Sequence, residues 1–73
     1  DPTDFNPYNL QGMVYDGKGQ TEQAIKSYSK AIQLSPEIGV LYINRAGSYE
    51  DLGQSANQKA DEQSACYYDV KFC

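Results

Sequence analysis

Chemistry in a chain of 73 residues begins with its reactive side chains, and here they are few. There is no His, which removes imidazole acid–base and triad schemes. The only cysteines are Cys66 and Cys73. On one continuous helix they would share a face but stand two turns, about 10 Å, apart. That is too far for a disulfide within a helix. Two thiols without a His do not make a zinc site. The expectation is a buried or half-buried Cys66 and an exposed Cys73. An intermolecular disulfide through Cys73 is the alternative in an oxidising solution. Lys59 and Lys71 flank Cys66 in sequence, but no base is paired with it. Asp61 and Glu62 diverge around a helix, and Asp69 lies seven residues beyond Glu62, a spacing that a solvated polar face explains. Gly17-Lys18-Gly19 lacks the spacer and the following Ser or Thr of a phosphate loop. The chain is expected to be no enzyme, with no cofactor and no metal.

Charge narrows the partners. Ten acidic against six basic residues give a net charge of -4. Nucleic acid, which calls for a basic face, is disfavoured. No apolar run approaches a membrane span. Location stays open, with the cytoplasm as the default.

What organises the chain is an echo 34 residues long. Pro2 returns as Pro36, Tyr8 as Tyr42, Tyr15 as Tyr49, Gly19 as Gly53 and Ala31 as Ala65. Gly12 returns as the small Ala46, and Ile32 as Cys66. A period of this length marks stacked helical repeats, which work through surfaces. Asp1-Pro2 occupy the phase of Ser35-Pro36, so residues 1–4 read as the remnant of a preceding repeat or linker. The whole of 1–73 then reads as one repeat domain, a fragment of a longer array, with repeats at 5–38 and 39–72.

Four helices are expected. The first runs from Asn6 to Lys18, with Pro7 in its first turn, where a missing N–H costs nothing. Tyr8, Gly12 and Tyr15 share a face. Gly12 costs about 1 kcal/mol inside a helix, which fits a neighbouring helix passing too close for a side chain. Gly19 ends this helix as a left-handed terminator. Thr21 to Leu34 follows, with Thr21 as a cap and a stripe of Ala24, Ile25, Tyr28, Ala31 and Ile32. Ser35-Pro36 stops it. Gly39 to Leu52 packs through Leu41, Tyr42, Arg45, Ala46, Tyr49 and Leu52, with the Arg45 charge reaching water. Gly53 repeats the break. Ser55 to Cys73 is the weak segment. One stripe follows the echo through Gln58, Lys59, Glu62, Ala65, Cys66 and Tyr68; another runs through Ala56, Ala60, Ser64, Tyr67 and Val70. Both are small or polar, so weak docking is expected.

This pattern resembles the tetratricopeptide repeat. The first unit offers Tyr8, Gly12, Tyr15, Gly19, Ala24, Tyr28, Ala31 and Pro36 in that family's slots, with Gln11 where Leu is usual. The second offers Tyr42, Ala46, Tyr49, Gly53 and Ala65. It departs at Gln58, Glu62 and Val70, so the resemblance is strong over 1–54 and poor after it. The fold implied is all-α: antiparallel helix pairs stacked as a short right-handed solenoid of about four helices.

In that family the first helix of each pair lines a groove that holds a partner peptide or helix. The resemblance carries this role onto Asn6, Asn9, Leu10, Met13 and Asp16, and onto Val40, Ile43, Asn44, Gly47, Glu50 and Asp51. Leu10, Met13, Val40 and Ile43 would grip apolar groups, and Asn9 and Asn44 would bind a peptide backbone. Asp16, Glu50 and Asp51 would make one end acidic, favouring a protein or peptide with apolar and basic side chains. A clamp for a carboxylate tail, known in some members, is matched here only at Asn44; Asn9 and Met13 stand in its first two slots. The implied function is a protein-interaction or scaffolding module. The alternative is a structural segment that self-associates as a homo-oligomer or packs onto neighbouring repeats.

Overall fold

The computed structural model describes residues 3–73, so expectations resting on Asp1 and Pro2 fall outside the described residues. Four α-helices follow one another: α1 (Asn6–Gly17), α2 (Thr21–Leu34), α3 (Gly39–Asp51) and α4 (Ser55–Tyr68). A short 3-10 turn, Val70–Phe72, closes the chain. The two helix pairs run antiparallel. Lys30 lies over the Tyr8 ring and Ser27 bonds Gln11 in the first pair, and Arg45 meets Asp61 in the second. The all-α stack of adjacent pairs is as expected.

The same backbone device ends α1 and α3. Gly19 and Gly53 take φ of 75° and 72°, a conformation closed to most other residues. The Gly19 N–H reaches the Asp16 carbonyl and the Gln20 N–H the Tyr15 carbonyl, at 3.0 and 2.9 Å. Gly53 with Glu50, and Gln54 with Tyr49, repeat this at 2.9 Å each. This pair of bonds is the Schellman motif. None of the four α-helices is started by a side chain of its N-cap residue, and Thr21 is the first residue of α2; at α1 the Asp4 carboxylate accepts from the Asn6 N–H at 3.0 Å.

The core lies between the pairs. Ala24, Tyr28, Ala31, Leu41, Tyr42, Ala46 and Ala65 are buried. Small residues dominate because the helices come close. A methyl group at position 12 would stand 2.5 Å from the Tyr28 ring, which explains the glycine. The corresponding pair in the second unit is Ala46 and Glu62, and Glu62 is exposed, so a methyl fits there.

The fourth helix takes the rotation of the echo. Asp61 and Ala65 are buried, while Tyr67 is 82% and Val70 84% exposed. Two expectations are corrected. The helix stops at Tyr68, because Asp69 turns extended (φ -149°) just as Ser35 does (φ -143°) after α2. The Asp69 and Ser35 N–H groups then bond the Ala65 and Ala31 carbonyls in the same way. The chain therefore doubles back, and Cys66 and Cys73 form an intramolecular disulfide with Cα atoms 4.6 Å apart. The 10 Å separation held only for an unbroken helix. Docking of this polar helix rests on the Asp61 ion pair and on Tyr68 stacked on Tyr42, ring centres 5.7 Å apart.

Two helical glycines, buried Gly12 of α1 and exposed Gly47 of α3, should respond oppositely. Gly12→Ala should lose about 1–3 kcal/mol to overpacking against Tyr28. Gly47→Ala, with nothing within 4 Å of the added methyl, should gain up to about 1 kcal/mol of helix propensity. Urea unfolding of both variants checks this; equal effects would refute the close-approach account.

Candidate functional site

Residues that face outward from the pairs fall into two groups. Some close the seam between repeats. Asn44 of α3 donates to Asn9 of α1 at 2.8 Å, and Ser48 of α3 donates to Asp16 of α1 at 3.0 Å. Arg45 of α3 donates to Ser29 of α2 at 3.0 Å. Others stand in the open: Asn6, Met13, Val40, Gly47, Glu50 and Asp51 are all exposed. Of the two apolar ones, Met13 is 52% and Val40 39% exposed. Asn6, Met13 and Gly17 correspond by the repeat to Val40, Gly47 and Asp51, so the open residues form equivalent ridges on α1 and α3.

Asp16 does not belong to an acidic rim. One carboxylate oxygen, Oδ2, accepts from Ser48 and, at 3.5 Å, from Tyr28; the other is buried without a partner among the described residues. Acidic character on the open side comes from Glu50 and Asp51. Leu10 and Ile43 lie on different sides of their helices. By the repeat, Leu10 and Val14 correspond to Asn44 and Ser48, which face the preceding repeat. They are exposed on the first helix, Val14 to 56%. Ile43 corresponds to Asn9, which faces the following repeat, and it lines an open pocket of about 500 Å³ with Lys59, Glu62, Gln63, Cys66, Phe72 and Cys73. A smaller pocket of about 240 Å³ is lined by Glu22, Ile25, Lys26, Tyr49, Leu52 and Gln54.

Arg45 is the largest departure from expectation. Its charge does not reach for bulk water. Nε and Nη2 donate to both Asp61 oxygens at 2.8 and 2.7 Å, and the guanidinium carbon lies 5.7 Å from the Tyr49 ring centre. The Asp61 side chain is 6% exposed and that of Arg45 20%. The hydrogen bonds to Asp61 outweigh burial and raise the Arg45 pKa. One repeat earlier the same two positions hold Gln11 and Ser27, joined by a neutral bond of 3.1 Å. The signal for Arg45–Asp61 lay in this 34-residue correspondence of polar pairs, which hydrophobic periodicity passes over. Buried Ser27 and Ser48 escaped the apolar pattern likewise.

No group of three or more potential metal ligands occurs among the described residues. No helix among them is long and apolar enough to cross a membrane.

The comparisons with known proteins agree with this geometry. The family model for the tetratricopeptide repeat matches residues 6–38, the first helix pair and its exit. The chain belongs to the tetratricopeptide repeat family. Among curated proteins it is similar to small glutamine-rich tetratricopeptide repeat-containing protein 2 of Mycosarcoma maydis, 39% identical over 49 residues. That alignment takes in 67% of this chain and 14% of that protein, so the chain spans about one-seventh of the relative's length. Tetratricopeptide repeats are in general non-catalytic protein-interaction elements.

Two measurements probe the polar core of this repeat pair. Asp61→Ala should cost about 3 kcal/mol by stranding Arg45, and adding Arg45→Met should recover most of it. A double-mutant cycle reads this; a loss under about 1 kcal/mol for the single change would contradict the ion-pair account. Tyr28 gives a pH test. Burial first, then the Asp16 charge and their hydrogen bond, pushes its pKa from 10.0 to about 12. This stabilisation is complete below pH 10 and is lost as pH rises through 12, since the unfolded phenol ionises first. Alkaline unfolding followed by tyrosine absorbance should therefore show that slope, and Tyr28→Phe should flatten it.

Proposed function

We propose that the chain is a protein-interaction module that holds an extended partner segment along α1 and α3. The observation that carries this reading is the pair of equivalent open ridges, with Met13 and Val40 exposed and the Asn9–Asn44 pair between them. Met13 and Val40 supply apolar contact, and methionine adapts to varied side chains. The Asn44 amide has given one hydrogen to Asn9, which leaves Asn9 hydrogens and the Asn44 carbonyl for a peptide backbone. Glu50, Asp51 and the net charge of -4 favour a segment with basic as well as apolar residues. Asn6 and Gly47 complete the open positions. Repeats at 5–38 and 39–72 are the units of this reading.

A second reading has its own support. Exposed Leu10 and Val14 stand where Asn44 and Ser48 are covered by a preceding repeat, which favours packing onto a neighbouring repeat or a second copy.

A peptide array with apolar-basic sequences, followed by titration of the best binder, distinguishes the two. Met13→Asp and Asn44→Ala should each weaken binding about tenfold or more, about 1.4 kcal/mol. Val14→Glu should leave binding unchanged but abolish any self-association seen by light scattering. Retained affinity in both groove variants would reject the groove. A concentration-independent monomer mass would reject self-association.

A further inference from the structure

The bond between Cys66 and Cys73 lies at the far end of the stack, and its surroundings assign it more than a bracing role. Cys73 is exposed, and Cys66 is half-buried at the pocket. Three of the residues lining that pocket of about 500 Å³ are Cys66, Phe72 and Cys73. The last two residues beyond α4, Phe72 and Cys73, are therefore both held by the disulfide and part of one pocket wall. Ile43 of α3 and Lys59 of α4 belong to the rest of the lining.

Apart from Asp69 and Phe72, which lie against Gly39 of α3, little else holds the tail. Between Asp69 and Cys73 the hydrogen bonds are local: Lys71 N–H to the Asp69 carboxylate at 3.1 Å, Phe72 N–H to the Asp69 carbonyl at 3.0 Å and Cys73 N–H to the Val70 carbonyl at 3.1 Å. The Lys71–Asp69 ion pair at 3.6 Å is exposed, and Val70 is in solvent. Such bonds within a five-residue turn do not outlast the loss of a covalent closure, because short local loops open at small free-energy cost. The core of the repeat pair, by contrast, does not pass through this turn.

We propose that the Cys66–Cys73 disulfide is a redox-operated latch on this pocket: oxidised, it holds Phe72 and Cys73 as a wall; reduced, it releases them. The reductant is a dithiol. One of its thiolates attacks the exposed Cys73 sulfur, the S–S bond breaks, and Cys66 leaves as a thiolate that takes up a proton. The second thiol of the reductant attacks the mixed disulfide, and Cys73 leaves and is protonated in turn. Two electrons and two protons pass to the protein, and the dithiol departs as its own disulfide. Attack is directed to Cys73 because exchange depends on access to the sulfur. This latch is independent of any peptide held along α1 and α3.

The test uses the whole chain in air-equilibrated buffer and again with excess dithiothreitol, with amide hydrogen exchange resolved by residue. Mass spectrometry after maleimide under denaturing conditions should find no thiol in the first state and two in the second. Reduction should speed exchange at the Phe72 and Cys73 amides at least tenfold and shift the Ile43 methyl signals across the pocket. Exchange at Ala31 and Ala46, and the Ile25 methyl signals, should not move. Cys73→Ser should show the reduced pattern in both buffers. Two free thiols in the oxidised chain would overturn the proposal. So would unchanged exchange at 72–73, or exchange rising equally at Ala31 and Ala46, which would make the bond a brace for the whole fold.

Discussion

The arrangement turns on one cation. Arg45 touches α2 through Ser29, α4 through Asp61, and the ring of Tyr49 on its own helix. It is the point at which the second helix pair is built and, in the same stroke, set against the first. A guanidinium suits that task because it is planar, always charged and forked, so that it can fix several partners in one geometry. Buried ion pairs are not strong sources of net stability, since desolvation offsets much of the attraction. Their contribution here is to position. With a fourth helix whose buried face holds Asp61 and Ala65, apolar contact alone leaves the rotation about its axis undetermined, and the bidentate bond to Arg45 fixes it.

The first helix pair reaches the same geometry by a different distribution of forces. Gln11 and Ser27 make a neutral bond at the equivalent positions, and the burden of contact passes to Tyr28, packed on Gly12. In the second pair the aromatic has become Glu62 and lies in solvent, while the neutral pair has become an ion pair. One backbone plan is thus held in one unit by an aromatic ring against a glycine, and in the other by a salt link.

Much of this plan was legible in the residues. Gly19 and Gly53 announced the turns because a left-handed terminator is a local requirement that few residues meet. Gly12 and Ala46 announced a close approach because an interior glycine needs a packing reason. The Ala24–Tyr28–Ala31 stripe has helical spacing and is buried as read. Other features were hidden for physical reasons. Val70 stands where Pro36 stands, so the second break had no proline to mark it, and the disulfide it permits looked geometrically closed. Arg45 read as a packing residue with its charge in water, and Asp61 as a carboxylate without a partner, because charge is assigned to water until a partner is known. Among candidate interaction residues, periodicity separates the inside of a helix pair from its outside. It does not tell which outward positions meet the next repeat, as Asp16 does through Ser48.

The scarcity of side-chain caps bears on how the chain folds. The first helix has Pro7 in its first turn and the Asp4 carboxylate on the Asn6 N–H, but α2, α3 and α4 have no side-chain cap from their N-cap residues. Nucleating a helix is unfavourable, and helices of this length are marginal alone in water. The starts of the later three are therefore set by neighbours, so each of them inherits its register from helices that are already in place. Order then spreads along the stack as a cooperative whole. Removing one helix takes away the starting condition of the next as well as its own contacts.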